Sequence, residues 1–280
     1  MNNKNSIVDG FLTNTSIKEN VYLLGFLWAD GWICNKKYTH SVSMSLITED
    51  FVLIEPILKN FGINCYYDRQ RMRNGKLFGT PNRTFTIHSL DIVNFLLKNE
   101  YDKKSGYAPT KILSIISPEL HYYFWRGYLD GDGCISSKGV KQEIAFWSVI
   151  DQDWSSLIEL INSLKLTYSI YTYKRKNGNH KSSVLRMGGI DNIVKFGDYI
   201  YQNYDGIGLK RKYEKYLLLK EKQKTIKKKT SSYKGVFLNS RTKWWGANVY
   251  NSVTKKQKHL GWFSTEKDAI DKLLLTIRKD

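Results

Sequence analysis

Two segments of the chain carry the same small acidic pattern, about one hundred residues apart. The first reads Gly25-Phe-Leu-Trp-Ala29-Asp30-Gly31, and the second reads Gly127-Tyr-Leu-Asp-Gly131-Asp132-Gly133. One Asp-Gly after an apolar run is commonly a turn; a second copy at the head of an equivalent stretch asks for a joint purpose. Gly25 and Ala29, like Gly127 and Gly131, are small residues four apart on one helical face, so two such helices can approach with little side chain between them. Gly31 and Gly133 suit the left-handed conformation that ends many helices. With the helices face to face, Asp30 and Asp132 lie close together at the same end. Two carboxylates then share a site with two helix C-termini, each already partly negative. A positive charge must compensate. Mg²⁺, with Mn²⁺ as a substitute, is a hard ion that takes oxygen ligands of this kind. Such an ion also holds a phosphate and activates water for in-line attack.

The patterning on either side of each acidic segment predicts the elements that position it. From Val21 the chain reads VYLLGFLWADGWI, an alternating stretch HSVSMSLIT, and an amphipathic run EDFVLIEPILKNFG. NCYYDRQRMR, RTFTIHS and SLDIVNFLLKN follow. From His121 the series repeats: HYYFWRGYLDGDGCI, QEIAFWSV, DQDWSSLIELINSL, YSIYTYKRK, SSVLRMGG and IDNIVKFGDYI. Val52, Ile54, Leu58 and Phe61 have helical spacing, and Val42, Met44 and Leu46 alternate with serines as a half-buried strand does. Each copy reads helix, strand, strand, helix, strand, strand, helix, an α+β class built from a repeat. The expected divisions are an N-terminal extension over 1–17, one half over 18–117 and a second over 118–222. A basic linker over 223–231, whose run Lys224–Thr230 lacks core residues, leads to a small domain over 232–280. That domain has three strand-like stretches, YKGVFLN, KWWGANVY and QKHLGWF, and then a helix from Thr265, where Ser264 and Thr265 suit a helix start.

Lys and Arg number 44 against 26 Asp and Glu, a net charge of +18 that favours a polyanionic partner, nucleic acid above all. Cys34, Cys65 and Cys134 are too few and too scattered for a disulfide framework or a zinc site. The polar start MNNKNSIVDG does not read as a signal segment, and the apolar run Val21–Trp28 is too short to span a bilayer. A soluble, intracellular protein without a membrane partner is expected.

The paired segments resemble the two motifs of the LAGLIDADG homing endonucleases in their single-chain form, over roughly residues 18–222 and most closely in WRGYLDGDG. Trp28 stands where the family often has a first acidic residue, a position that is not the metal-binding one. The resemblance implies two pseudo-symmetric αββαββα halves with a saddle of antiparallel strands over double-stranded DNA. It implies a monomer that hydrolyses both strands of a long target across the minor groove. It places the metal on Asp30 and Asp132 with the backbone carbonyls of Ala29 and Gly131. It suggests basic residues near the end of each half at the scissile phosphate, for which Lys104, Lys111, Lys210 and Lys212 are the candidates. It also implies an intron-encoded or free-standing mobile element acting in the cytoplasm or nucleoid of a bacterial or phage-infected cell, or in an organelle matrix. The alternative on the same fold is a binder that does not cut: a DNA-binding regulator or an RNA-binding intron maturase.

The strands should supply the reading surface. Arg69, Arg71 and Arg73 alternate, and so do Lys174 and Lys176, which suits phosphates or guanine edges. Arg83, His180 and Arg186 are further candidates. The C-terminal stretch, with YKGV, KWWGANV and LGWFSTEKDAI, resembles the ethylene-response-factor (Apetala-two) type of DNA-binding domain, a three-stranded sheet on a helix. Trp245, Ala247 and Val249 would then face the helix, while Asn248, Tyr250, Gln257 and His259, with Arg241 and Lys243, would face DNA. A second binding module on a tether raises affinity through effective concentration.

Overall fold

The computed structural model describes residues 9–64, 66–73, 76–137, 142–174, 181–227, 231–239, 241–251 and 254–277. The chain forms two compact units, Met1–Leu217 and Leu218–Asp280.

The first unit holds the repeat. One copy runs α1 (Lys18–Asp30), β1 (Trp32–Lys36), β2 (Thr39–Ile47), α2 (Thr48–Asn60), β3 (Tyr66–Arg73), β4 (Lys76–His88) and α3 (Leu90–Lys98). After the short helix α4 (Thr110–Ile115), the second runs α5 (His121–Asp132), β5 (Gly133–Ser136), β6 (Glu143–Val149), α6 (Ser155–Ser163), β7 (Ser169–Lys174), β8 (Lys181–Gly188) and α7 (Ile190–Ile200). Each copy makes a four-stranded antiparallel sheet in the same order, β1-β2-β4-β3 and β5-β6-β8-β7.

Alternation separates the two faces of each sheet. Val42, Met44, Leu46, Phe85 and Ile87 are buried on the helix side in the first copy, and Ile144, Phe146, Leu185 and Met187 in the second. α1 and α5 are enclosed on all sides: every residue of 20–28 and of 122–130 is buried. That is why these helices lack a polar face. Of the segment expected as an N-terminal extension, the described part, from residue 9 onward, contributes to this core. Phe11 and Leu12 are buried, the Phe11 ring lies 4.8 Å from Phe61, and Asn20 binds the backbone of Leu12, Gly10 and Asn14.

Helix α8 (Lys210–Lys227) follows. The basic stretch expected to be linker is therefore helical as far as Lys227, while 228–230 lie outside the described residues. Lysine, glutamate and glutamine are good helix formers even without an apolar stripe, and Lys224 pairs with Glu221 at 2.5 Å on this surface.

In the second unit β9 (Val236–Leu238), β10 (Trp245–Asn251) and β11 (Lys256–Phe263) form an antiparallel sheet with β10 central, and α9 (Glu266–Ile277) packs on one face. Val236, Ala247, Ala269 and Leu273 form its core, joined by Trp245 and Val249. Thr265 caps α9 by accepting from the Asp268 backbone N–H. The outer face carries Asn248 and His259, whose side chains lie 2.7 Å apart, with Trp262 beside Phe237.

Candidate metal centre at the joined helix ends

The small residues of the two acidic segments let α1 and α5 touch through their backbones. A Cβ on Gly25 would fall about 1 Å inside the 3.0 Å closest approach that real Cβ atoms make, against the Phe124 carbonyl oxygen. A Cβ on Gly127 would do the same against the Tyr22 carbonyl oxygen. Further along, one on Gly131 would meet Ala29 Cβ and come within 3.2 Å of Asp30 Oδ2. The two helix ends, and with them Asp30 and Asp132, therefore lie side by side.

The terminating glycines differ from expectation. Gly31 has φ −80° and Gly133 φ −88°, both extended, because each helix runs straight into a strand. Space is what requires glycine here. A Cβ on Gly31 would sit 2.5 Å from Leu27 Cδ2 and from the Tyr101 hydroxyl, and one on Gly133 2.5 Å from the Leu129 carbonyl oxygen.

Each helix end also receives a lysine. Lys104 Nζ donates to the carbonyls of Ala29 (2.8 Å), Trp28 (3.0 Å) and Leu27 (3.3 Å). Lys212 Nζ donates to Leu129 (2.6 Å), Asp130 (2.7 Å) and Gly133 (2.7 Å). A helix C-terminus offers unpaired carbonyls and partial negative charge, so a cation is stabilised there. Burial holds both ammonium groups below the usual lysine range, opposed by Asp132 and Asp30 for Lys104, and by Asp130 first for Lys212.

The acids respond in the opposite sense. Burial, and then the charge of Asp30, pushes Asp132 up to about 7 against the pull of Lys104 and Lys212. Burial also raises Asp30, again opposed by the two lysines. Two carboxylates that resist ionising together are a donor set that a hard divalent ion would relieve. Among the described residues no group of three or more His, Cys, Asp or Glu side chains is placed to hold a metal. The donors present are thus the two aspartates and neighbouring carbonyls. Of those carbonyls, Ala29 already accepts from Lys104, whereas the three bonds from Lys212 leave Gly131 aside.

Residues 119–201 match the model of the LAGLIDADG-like domain. That stretch contains α5 and the second acidic motif. No curated protein matches the chain. Among solved structures, the homing endonuclease I-WcaI bound to its DNA recognition sequence is similar at 14% identity and a TM-score of 0.49, over 71% of this chain and 85% of that one. I-DmoI in complex with DNA and Ca is similar at 14% identity and a TM-score of 0.46, over 72% of this chain and 97% of that one. The N-terminal LAGLIDADG domain of DUF199/WhiA is similar at 15% identity and a TM-score of 0.37, over 71% of this chain and 87% of that one.

Of the four lysines singled out in the sequence, the fold brings Lys104 and Lys212 to the two joined helix ends. Lys111 is exposed on α4, and Lys210 is exposed at the start of α8, 3.9 Å from Glu214. The strand cations are placed unevenly. Arg69 is exposed on β3, and the pairing shifts register between Arg69 and Arg71. Of Arg71, Arg73 and Lys174 only the backbone is described, and Lys176 and His180 lie outside the described residues. Arg83 sits opposite Leu46, on the helix side of its sheet, with its guanidinium 2.6 Å from Asp68 and over the rings of Phe51 and Tyr66. Arg186 lies 3.5 Å from Glu143. In the second unit Arg241, Lys243, Tyr250 and Gln257 are exposed.

Several residues that shape the centre carried no role in the sequence reading. Asp130 is buried and accepts from the Tyr22 hydroxyl (3.0 Å) and the Leu209 backbone N–H (2.8 Å). Arg126 is wholly buried and donates to the carbonyls of Ile200, Gln202 and Ile207 among the rings of Tyr122, Tyr123, Tyr201 and Tyr204. Arg211 binds Asp50 of the first copy through both carboxylate oxygens. A cavity of about 240 Å³ beside Asp30 is lined by Asp50, Asp130, Asn82, Ser45 and Arg211. The signal available for Arg126 was its place in an otherwise aromatic run, where an unpaired cation would not be tolerated.

Proposed function

We propose that the chain is a site-specific endonuclease that hydrolyses both strands of a double-stranded DNA target with a divalent metal. The observation that carries this reading is the pair of aspartates at two touching helix ends, each end furnished with its own lysine. One strand would be served by each half of the repeat.

Asp30 and Asp132 would hold the metal, with the Gly131 carbonyl as a further oxygen donor. The bound ion supplies Lewis-acid activation of the scissile phosphate and of water. Lys104 and Lys212, whose N–H donors go to helix carbonyls, would act on negative charge building up on a phosphate at either side through the field of their ammonium groups. The +18 charge favours the polyanion as substrate, through counterion release and steering. The sheet–helix unit at the C-terminus supports a second, tethered DNA contact through Arg241, Lys243, Asn248, Tyr250, Gln257 and His259. Mg²⁺, with Mn²⁺ in its place, suits all-oxygen donors.

The test is the Asp132→Asn protein incubated with Mg²⁺ and a plasmid library carrying random inserts. Loss of double-strand cleavage with DNA binding retained is the expected result. Cleavage at the wild-type rate would remove Asp132 from the chemistry. A wild-type protein that binds DNA or RNA without nicking in Mg²⁺ or Mn²⁺ would turn the reading to a regulator or maturase.

A further inference from the structure

Lys104 and Lys212 sit on segments that run on past the last helix of their own copy, α3 and α7. Each segment is then tied to the other copy, where the second strand of that copy gives way to the following helix. At Lys212 the tie is ionic. The preceding residue, Arg211, donates from Nε and Nη2 to the two carboxylate oxygens of Asp50, at 2.9 Å and 2.7 Å. Asp50 lies in the first turn of α2, just past the end of β2. Its side chain is only 8% exposed, at a helix end whose partial positive charge favours a carboxylate. A guanidinium fork on a carboxylate fixes orientation as well as distance. It therefore holds the first turn of α8, where the Lys212 backbone N–H donates to the Leu209 carbonyl at 2.9 Å. Asp50 and Arg211 also line the cavity beside Asp30, so this tie borders the acidic centre.

At Lys104 the tie is neutral. Gln152, between β6 and α6 of the second copy, donates from Nε2 to the Tyr107 carbonyl at 3.2 Å. The Asp153 backbone N–H donates to the Gly106 carbonyl at 3.1 Å. Gln152 is buried, and its Oε1 accepts from the Ser148 hydroxyl at 2.7 Å, which orients the amide. Gly106 and Tyr107 in turn donate their N–H groups to the Lys103 carbonyl, both at 3.1 Å, closing the turn that carries Lys104. Bonds within each copy fix the chain three residues before the lysine: the Tyr101 hydroxyl donates to the Leu27 carbonyl, and the Leu209 N–H to Asp130. The bonds to the other copy fix it beside or beyond the lysine. Without them each ammonium would hang on a segment held at one end only.

We propose that Asp50, acting through Arg211, and Gln152 are positioning residues that set each lysine from the opposite copy. Asp50 of the first copy places Lys212, and Gln152 of the second places Lys104, so neither half places its own ammonium alone. The consequence for cutting rests on the endonuclease reading above: one strand depends on Asp50 and Lys212, the other on Gln152 and Lys104. Loosening one segment lowers the rate on its strand by about tenfold and leaves the other within about twofold. A general loss of stability would slow both strands together.

The test has two arms, both on the full chain. The first needs no DNA. Proton exchange of the lysine ammonium groups is followed by ¹⁵N NMR, with Lys104→Met and Lys212→Met used to assign the two buried signals. Asp50→Ala should speed exchange at Lys212 about tenfold and leave Lys104 unchanged, and Gln152→Ala should do the reverse. Arg211→Gln, at a half-exposed side chain, should repeat the Asp50→Ala result. Gln152→Glu, which keeps the acceptor for Ser148 and removes the donor to Tyr107, replaces Gln152→Ala if that protein does not fold. The second arm follows each strand of a site selected from the plasmid library, labelled separately, in Mg²⁺. Asp50→Ala should slow the strand that Lys212→Met slows, and Gln152→Ala the strand that Lys104→Met slows. The inference is overturned if neither ammonium responds, if both respond alike to either variant, or if both strands slow equally. If the wild-type protein cuts no DNA, the endonuclease reading fails, and the exchange arm alone decides the placement of the lysines.

Discussion

Replacing Gly25 with alanine tests the contact on which the acidic centre depends. The added methyl would lie about 1 Å too close to the Phe124 carbonyl oxygen, with Phe124 C and Cα directly behind it. Backbone atoms in the middle of a buried helix have no rotamer through which to yield, so α1 and α5 must separate by about that distance. Overpacking by one methyl costs roughly 1–3 kcal/mol where side chains can adjust. Here the upper end applies, about 3 kcal/mol or more. For a unit of this size each kcal/mol lowers Tm by roughly 2–4 °C, so a fall of about 6–12 °C is expected. Protein that remains folded would carry Asp30 and Asp132 about 1 Å out of place, and a misplacement of that size lowers a rate on the order of a hundredfold. Thermal unfolding followed by circular dichroism reads the first effect, and single-turnover nicking well below Tm reads the second. Gly188→Ala is the control: a Cβ there meets nothing within 4 Å, so stability should change by less than about 0.5 kcal/mol. A Gly25→Ala protein within about 1 kcal/mol of wild type would refute backbone contact between the two helices.

Three further outcomes follow from the same geometry. Asp132 has its folded pKa raised to about 7, above its ordinary value, so the folded state binds the extra proton between about pH 4 and 7. Its contribution favours the metal-free fold at low pH and is lost as pH rises through 7. Mn²⁺ affinity, measured by titration calorimetry, should change the other way, falling about tenfold per unit below pH 7. Asp30→Asn should lower the Asp132 midpoint seen by carboxyl NMR, because the charge of Asp30 is part of what raises it. Arg126→Met leaves the carbonyls of Ile200, Gln202 and Ile207 without their donor inside the core, and chemical denaturation should show a loss of roughly 3–5 kcal/mol. Lys104→Met and Lys212→Met should each slow the cutting of one strand, so that nicked circles accumulate on a plasmid carrying the selected site.

The repeat and its element order were legible because they rest on periodicity, and small residues four apart told where two helices could meet. The acids were legible because a carboxylate at a helix C-terminus is costly without a partner. The choice between Lys210 and Lys212 was not, since two lysines two residues apart on a helix look alike until the direction of α8 is known. The conformation of Gly31 and Gly133 was misread for a related reason. A glycine after a helix is ordinarily explained by φ, and only the packed position of Leu27, Tyr101 and Leu129 shows that the limit is space. Arg83 was read as a reader of DNA from its charge alone, but its register opposite Leu46 turns it to the helix side, where Asp68 meets it.

The two halves reach one arrangement by different chemistry, and this shows which part of it is demanded. In α1 the residue two before the acid is Trp28, packed edge-on against Tyr101 at 5.1 Å, and the Tyr101 hydroxyl donates to the Leu27 carbonyl. Ring packing and one phenol thus fix the turn that delivers Lys104. In α5 the equivalent residue is Asp130, which holds the Leu209 N–H just before α8, while Arg126 ties down the chain from Ile200 to Ile207. A polar network thus fixes the approach of Lys212. The supports are built differently, yet each ends in an ammonium on three carbonyls of a helix terminus. An aspartate placed at Trp28 would therefore not make the halves more alike in function. It would face Tyr101 and Phe124 instead of the Tyr22 hydroxyl and the Leu209 N–H that Asp130 has, and a carboxylate buried without donors costs several kcal/mol or stays protonated. What both halves preserve is the cation at the helix end beside an acid, and the surrounding residues vary as far as that placement allows.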